Sequence, residues 1–193
     1  MDYFNGKLEN DCQLLYHLLQ PELARTKSGT TRRKMFEKGH EKKELKGSYS
    51  CTIGTTSRFY LSPTKNRNKS KIYSNLYETK LMTEKPDLFG YIKDFMDIHK
   101  DFEFTDIQIN FNWQSPPHFD KGNTGKSLII GLGNYQGGEL VLEKEEENEN
   151  IDIRHKPFIF DGQKYKHWTQ DFTGNRMSIV LYTPKNGILI NPN

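Results

Sequence analysis

The sequence predicts an α+β fold: a β-sandwich or jelly roll with N-terminal helices packed on one sheet. Three observations lead there. Two stretches with apolar residues at helical spacing come first, and a series of short strands separated by turn residues follows. The change from one pattern to the other falls near Phe102. A length of 193 residues suits one domain, since a single core commonly spans about 100–200 residues. Residues 1–193 are therefore read as one unit, with a helical and basic part over 1–103 and a jelly-roll core over 104–183.

Each element has its own signal. Asp11 reads as a helix N-cap, and Leu14, Leu15, Leu18, Leu19 and Leu23 follow at helical spacing, with Pro21 kinking or ending the helix. Residues 25–75 are polar and rich in Ser, Thr, Gly and Asn, which suggests loops with a short strand or two, such as Ser57 to Leu61. A second helix fits Pro86 to His99, with Pro at its start and Leu88, Phe89, Ile92, Phe95, Met96 and His99 on one side. Then 104–112, 127–132, 139–143, 158–160 and 177–182 read as strands. Turn pairs such as Gly122-Asn123, Gly137-Gly138, Asp161-Gly162 and Gly174-Asn175 separate them. The acidic stretch from Lys144 to Asn150 reads as an exposed hairpin loop.

Composition narrows the class. The chain is 34% hydrophobic and holds 12 Phe and 10 Tyr, enough to build a core, so its polar character belongs to a charged surface rather than to disorder. No apolar run approaches the ~20 residues that span a bilayer, and residues 1–9 lack the basic-then-apolar pattern of a signal peptide. Two cysteines, Cys12 and Cys51, argue against a disulfide scaffold and against Cys-based zinc sites. The expectation is a monomeric protein of the nucleus or cytoplasm, viral or phage origin included, with no membrane partner.

The net charge of +3 is unevenly spread: residues 25–71 carry fourteen Lys/Arg against Glu37, Glu41 and Glu44. Such a block is either a solvated surface or a phosphate-contacting one, and composition leaves both readings open.

The chemistry concentrates later in the chain. His118 and Asp120 flank Phe119, and in extended backbone residues two apart share a face, so imidazole and carboxylate can hold one ion. A second His with them completes the two-His, one-carboxylate set of non-haem iron(II) sites, and His167 is the candidate. Arg176 lies nine residues beyond His167, with Ser178 two further on and on the same face. A buried guanidinium suits two-pronged capture of a carboxylate, and a hydroxyl beside it adds a donor.

In this order, His118-x-Asp120, a distal His167 and Arg176-x-Ser178, the chain resembles the iron(II)- and 2-oxoglutarate-dependent oxygenases. The resemblance implies a double-stranded β-helix (a jelly roll). Fe(II) would be held by His118, Asp120 and His167, which are then the catalytic residues. It also implies 2-oxoglutarate as cosubstrate, held at its far carboxylate by Arg176 with Ser178 beside it, O2 as oxidant, and ascorbate as stimulant; of Asn110 and Asn112, just before the metal residues, one is expected to hydrogen-bond 2-oxoglutarate. A narrower resemblance covers residues 106–183: His118-Phe119-Asp120-Lys121-Gly122-Asn123 is similar to the His-x-Asp-x-x-Asn signature of the TET/JBP branch, which oxidises 5-methyl groups of DNA pyrimidines. Residues 127–140 resemble that branch as well. The large Cys-rich region of animal members is absent.

From that branch Asn123 carries over as a substrate contact, though Asn beside Gly122 is also what a turn favours. Trp113 and Trp168, near the metal residues in sequence, either line the substrate pocket or pack in the core. His155 ranks below His167 because it sits beside the acidic loop with no Arg-x-Ser at the right distance. His17 falls among helix leucines and His40 in the basic block. The resulting expectation is a DNA-binding dioxygenase acting on the methyl group of 5-methylcytosine or thymine. The alternatives are a prolyl, lysyl or asparaginyl protein hydroxylase, a small-molecule oxygenase and an inactive jelly-roll binding module.

Overall fold

The computed structural model describes residues 2–23, 48–59, 73–97, 102–185 and 189–190. Most of the basic block, and with it His40, lies outside these residues, as does His99.

In chain order the elements are α1 (Asp2–Leu23), β1 (Tyr49–Ile53), β2 (Thr55–Phe59), β3 (Tyr73–Glu78), α2 (Lys80–Glu84), α3 (Pro86–Asp97) and β4 (Asp106–Phe111). Then follow β5 (Asn123–Leu132), β6 (Tyr135–Gly137), β7 (Leu140–Glu143), β8 (Asn148–Ile151), β9 (Phe158–Phe160), β10 (His167–Thr169), β11 (Phe172–Gly174), β12 (Met177–Pro184) and β13 (Leu189–Ile190). A five-stranded antiparallel sheet in the order β1-β4-β12-β5-β9 forms one layer. Facing it are the short ladders β10-β7-β8 and β11-β6, and an isolated bridge adds His118 to the free edge of β10. A third small sheet, β13-β3-β2, stands apart.

Alternation along the main sheet explains its two different faces. Ile107, Ile109 and Phe111 of β4, Leu128, Ile130 and Leu132 of β5, and Met177, Ile179 and Leu181 of β12 point to one side. There they share a buried cluster with Cys12, Leu15, Tyr16 and Leu19 of α1 and with Leu88, Ile92, Phe95 and Met96 of α3. Truncating Ile109 or Ile179 to Ala at its centre is expected to cost about 2–5 kcal/mol.

The opposite face meets the short ladders. Ile129, Leu140, Leu142, Ile153 and Phe160 form a second, smaller cluster between the layers. Beside it Gln108, Asn110 and Ser178 are buried polar groups. All six residues of β4 are buried, half of them in apolar packing and half in this polar interior.

Several boundaries differ from the sequence reading. α1 starts well before Asp11 and buries the stripe Cys12, Leu15, Tyr16 and Leu19, leaving Leu14 and Leu18 exposed. The helix runs through Pro21 to Leu23. The acidic stretch forms a loop over 144–147 and then pairs as β8 with β7, Asn148 opposite Glu143. Asn123 closes a turn with its N–H on the Asp120 carbonyl and is also the first residue of β5.

Candidate active site

The isolated antiparallel bridge between His118 and His167, with N–H···O distances of 3.0 and 2.9 Å, brings the two imidazoles together. Their ring centroids are 4.3 Å apart. Asp120 is pinned beside them because its N–H donates to the Gly162 carbonyl at 2.7 Å. Its carboxylate reaches both rings: Oδ1 lies 3.7 Å from His118 Nε2 and Oδ2 3.6 Å from His167 Nε2. The three candidate donor atoms lie within 4.8 Å of one another. Phe119, between the first two, turns outward and is 41% exposed.

Both imidazoles are held in the tautomer that a metal requires. His118 Nδ1 is 2.7 Å from the Pro116 carbonyl and His167 Nδ1 is 3.1 Å from the Tyr165 carbonyl. A carbonyl only accepts, so each Nδ1 carries a proton, and Nε2, facing Asp120, is the nitrogen left to coordinate. The Phe160 ring packs edge-on to His167 at 5.0 Å. Burial, reinforced by the nearby His118, lowers the His167 pKa from its ordinary value, with the Asp120 charge opposing. His167 therefore stays neutral at pH 7, the state that coordinates. Two neutral nitrogens and one carboxylate on one side of a common point fit a hard-to-intermediate divalent ion such as Fe(II).

A cavity of about 180 Å³ opens on this triad. Its polar wall is Gln108, Asn110 and Ser178, and Asn123, Trp168 and Tyr182 also line it. A larger cavity, about 690 Å³, lies between α1 and the 152–156 turn. It includes His155 and His17 but no member of the triad, so size alone would select the wrong site.

Arg176 sits just beyond Ser178 on the same strand face and is 2% exposed. Its Nε donates to the Gly138 carbonyl at 3.2 Å, and its guanidinium lies between the rings of Tyr135 and Phe172, 5.5 and 5.7 Å from their centroids. Among the described residues no carboxylate forms an ion pair with it, and Glu139 acts only as a more distant charge. Burial pulls its pKa below the ordinary guanidinium value, yet arginine stays charged in proteins. A buried cation with no carboxylate beside it is costly to hold, and an anion reaching it would offset that cost. The cavity stops short of Arg176, ending at Ser178 and Asn110.

Trp113 is placed elsewhere: it is 2% exposed and does not line the triad cavity, because its segment turns into the interior before the chain reaches His118. Asn112, with a left-handed φ of 48°, also misses the cavity. It brackets the Arg176 backbone instead, donating from N to the Arg176 carbonyl at 2.7 Å and accepting the Arg176 N–H on Oδ1 at 2.9 Å.

The structure adds residues that the sequence did not single out. The Tyr135 hydroxyl is shut off from solvent and faces Arg176 without a well-formed hydrogen bond; burial pushes its pKa up to about 12. It also occupies the space above Gly131, where a β-carbon would stand 2.1 Å away. Ser50 of β1 joins the polar wall by donating to Asn110 Oδ1 at 3.0 Å.

The fold is thus a double-stranded β-helix with a His-Asp-His set between its layers and a buried arginine just before its last long strand. No family model and no curated protein sequence matches the chain. In structure it is similar to NgTET1 in complex with 5mC DNA, with a TM-score of 0.51 and 14% identity over 92% of this chain and 72% of that one. It is also similar to an oxidoreductase of the 2OG-Fe(II) oxygenase family from Burkholderia pseudomallei (TM-score 0.46, 15% identity, 84% and 77% covered). A prolyl-4-hydroxylase from Pseudomonas putida is a further neighbour (TM-score 0.37, 12% identity, 56% and 68% covered). At 14% identity the likeness to NgTET1 is one of fold.

Proposed function

We propose that the protein is an iron(II)- and 2-oxoglutarate-dependent dioxygenase that hydroxylates the 5-methyl group of a pyrimidine base, 5-methylcytosine or thymine, in DNA. His118, Asp120 and His167 would hold the iron, and Arg176 with Ser178 the far carboxylate of 2-oxoglutarate. Together with O2, iron and cosubstrate supply a two-electron oxidation that converts a C–H bond to C–OH and leaves succinate and CO2. The protein's own part is to orient and to exclude water. Pro116 and Tyr165 fix the imidazoles, Gly162 fixes Asp120, and Phe160 and Leu140 give the cavity apolar walls.

The observation that carries the nucleic-acid reading is the rim of this small cavity. At about 180 Å³ it is below the ~300–1,000 Å³ usual for drug-sized ligands, so it admits the end of a substrate rather than the whole. Three segments meet at its mouth through hydrogen bonds: Lys185 N to Gly122 O at 2.7 Å, Gln163 Nε2 to Gly125 O at 3.4 Å, and Asp120 N to Gly162 O at 2.7 Å. They carry the exposed Lys121, Lys126, Lys164 and Lys185 and the exposed Phe119, with the Lys121 ammonium 5.9 Å from the centre of the Phe119 ring. The acids on these segments are engaged: Asp120 in the triad, and Asp161 in accepting the Gln163 and Lys164 N–H groups. Cations around an aromatic ring suit a phosphate backbone and a base taken out of its stack. Asn123 lines the cavity within reach of such a base. The fold shared with NgTET1, solved with 5mC DNA, accords with this reading.

Mass spectrometry of nucleosides from methylated and unmethylated DNA, incubated with the protein, Fe(II), ascorbate and 2-oxoglutarate, tests it. Oxidised 5-methylcytosine or thymine is expected. Succinate without any oxidised nucleoside would remove the base reading and direct the search to protein substrates.

A further inference from the structure

We propose that Ser50 and Gln108 are positioning residues that set the hydroxyl of Ser178 as a hydrogen-bond donor toward the carboxylate-binding end of the site. The inference rests on the cosubstrate reading given above and extends it to β1, outside the stretch that carries the catalytic motif.

Strand register builds the device. Ser50 lies opposite Asn110, and Asn110 lies opposite Ser178, so β1, β4 and β12 each place one polar side chain in a single row on the interior face. Thr52 and Gln108 form the next row. Ser50, Gln108, Asn110 and Ser178 are all buried, and the last three line the triad cavity. Buried polar groups of this kind are stable only when their bonds are satisfied, which leaves few ways to orient the amides.

The direction of the hydrogen bonds follows from the partners. Gln108 Nε2 is 2.6 Å from the Cys51 carbonyl and 3.1 Å from the Ile109 carbonyl, so that atom must be the amide nitrogen. Thr52 Oγ1 donates to the other end, Oε1, at 2.8 Å. Ser50 Oγ, 2.8 Å from the Gln108 nitrogen, accepts there, and its own proton goes to Asn110 Oδ1 at 3.0 Å. The Gln108 nitrogen has two protons, and its two shortest contacts, the Cys51 carbonyl and Ser50 Oγ, take them. Asn110 Nδ2 therefore faces Ser178 and donates to its Oγ at 3.3 Å. Ser178 accepts, so its single proton is left for the cavity, two residues along the strand from the unpaired Arg176 cation. If the Asn110 amide turned over, its oxygen would take that proton and the cavity would face an acceptor. Ser50 and Gln108 prevent the turn.

The test measures binding rather than turnover: calorimetric titration of 2-oxoglutarate into the Mn(II)-loaded full chain, with Mn(II) affinity measured separately. Ser50→Ala is expected to weaken 2-oxoglutarate about fivefold to tenfold, the range that losing one such hydrogen bond predicts, and to leave Mn(II) affinity unchanged. Ser50→Thr, which keeps a hydroxyl, should restore binding to within about twofold of the wild type. The decisive readout is the double variant. If Ser50 acts through Ser178, then Ser50→Ala adds nothing in a Ser178→Ala background, whereas a merely structural loss would add. Should Ser50→Ala fail to fold, Gln108→Met, which removes the amide that sets Ser50, carries the same expectation and the same cycle. Additive losses, or a Ser50→Ala variant that binds like the wild type, would overturn the positioning role and leave the cosubstrate reading intact. A wild-type chain that binds Mn(II) but not 2-oxoglutarate would overturn that reading and the ladder with it.

Discussion

Gly162 stands so close to Asp120 that a β-carbon added to the glycine would lie 2.8 Å from Asp120 Oδ2 and 3.1 Å from Asp120 Cβ. The same atom would be 3.1 Å from His167 Cε1. Gly162 is not among the glycines with a left-handed backbone, so an alanine meets no conformational obstacle there. The obstacle is the carboxylate and imidazole themselves. Gly162→Ala is therefore expected to lower metal affinity by about tenfold or more, as changes beside metal ligands do, with little change in metal-free melting temperature. Calorimetry with Mn(II) and thermal circular dichroism read the two effects separately. An unaltered Mn(II) affinity would show that Asp120 can shift without cost and is not held for coordination.

Metal binding should also follow pH in a defined direction. Burial and the neighbouring His118 lower the His167 pKa, so protons compete with a metal at His167 only below the ordinary histidine value of about 6.5. Mn(II) affinity is expected to be level from pH 8 to 7 and to decline as pH falls below about 6.5. Folding stability has the same sign. A depressed folded-state pKa contributes stability that is present above the unfolded value and lost as pH falls through the folded one. Titrations at several pH values, with the metal-free melting temperature alongside, check both. An affinity that rises on acidification would exclude His167 as a ligand.

The metal residues were legible because their signal is short-range and chemical. His118 and Asp120 are two apart, and Arg176-x-Ser178 marks a strand whose other residues, Met177, Ile179 and Leu181, are apolar. β1 was not legible, although it belongs to the main sheet. Cys51 and Ile53 face the main apolar cluster and Ser50 and Thr52 the polar interior, but this alternation lasts only five residues inside a polar, basic stretch, too short to stand out. The strands β6, β8, β10 and β11 escaped because each is three or four residues long and carries no apolar run, whereas the equally short β9, Phe158-Ile159-Phe160, is wholly apolar. The carbonyls of Pro116 and Tyr165, each two residues before a metal histidine, are backbone atoms that no side-chain pattern reveals. Trp113 and Trp168 looked equivalent in sequence, but the chain buries the first in packing and brings the second to the cavity.

Arg176 is expected to govern cosubstrate binding without governing the metal. Its guanidinium is held by Gly138 and by the rings of Tyr135 and Phe172, none of which belongs to the triad. Arg176→Met should leave Mn(II) affinity near that of the wild type while abolishing measurable 2-oxoglutarate binding. Arg176→Lys keeps a charge but loses the planar fork that grips two carboxylate oxygens, so about a tenfold or larger loss is expected there too. Both are read by calorimetry. If Arg176→Met bound 2-oxoglutarate like the wild type, the carboxylate would have to lie elsewhere in the cavity.

Asn123 separates substrate from cosubstrate. It lines the triad cavity, and its backbone N–H donates to the Asp120 carbonyl at 3.1 Å, so the position is fixed relative to the metal while the side chain is free of any coordinating duty. Asn123 closes the turn from Asp120 with its backbone and opens β5, so its side chain can be removed without losing the turn's hydrogen bond. Asn123→Ala is expected to spare the slow, uncoupled conversion of 2-oxoglutarate to succinate, since that reaction needs only the triad, Arg176 and O2. Oxidation of the DNA base should fall about tenfold or more, because a site built around a hydrogen bond loses its discrimination when the partner is removed. Succinate release and oxidised nucleoside, measured on the same samples, give the ratio. Equal losses in both would mean that Asn123 supports the metal site through Asp120, and the substrate role would fall.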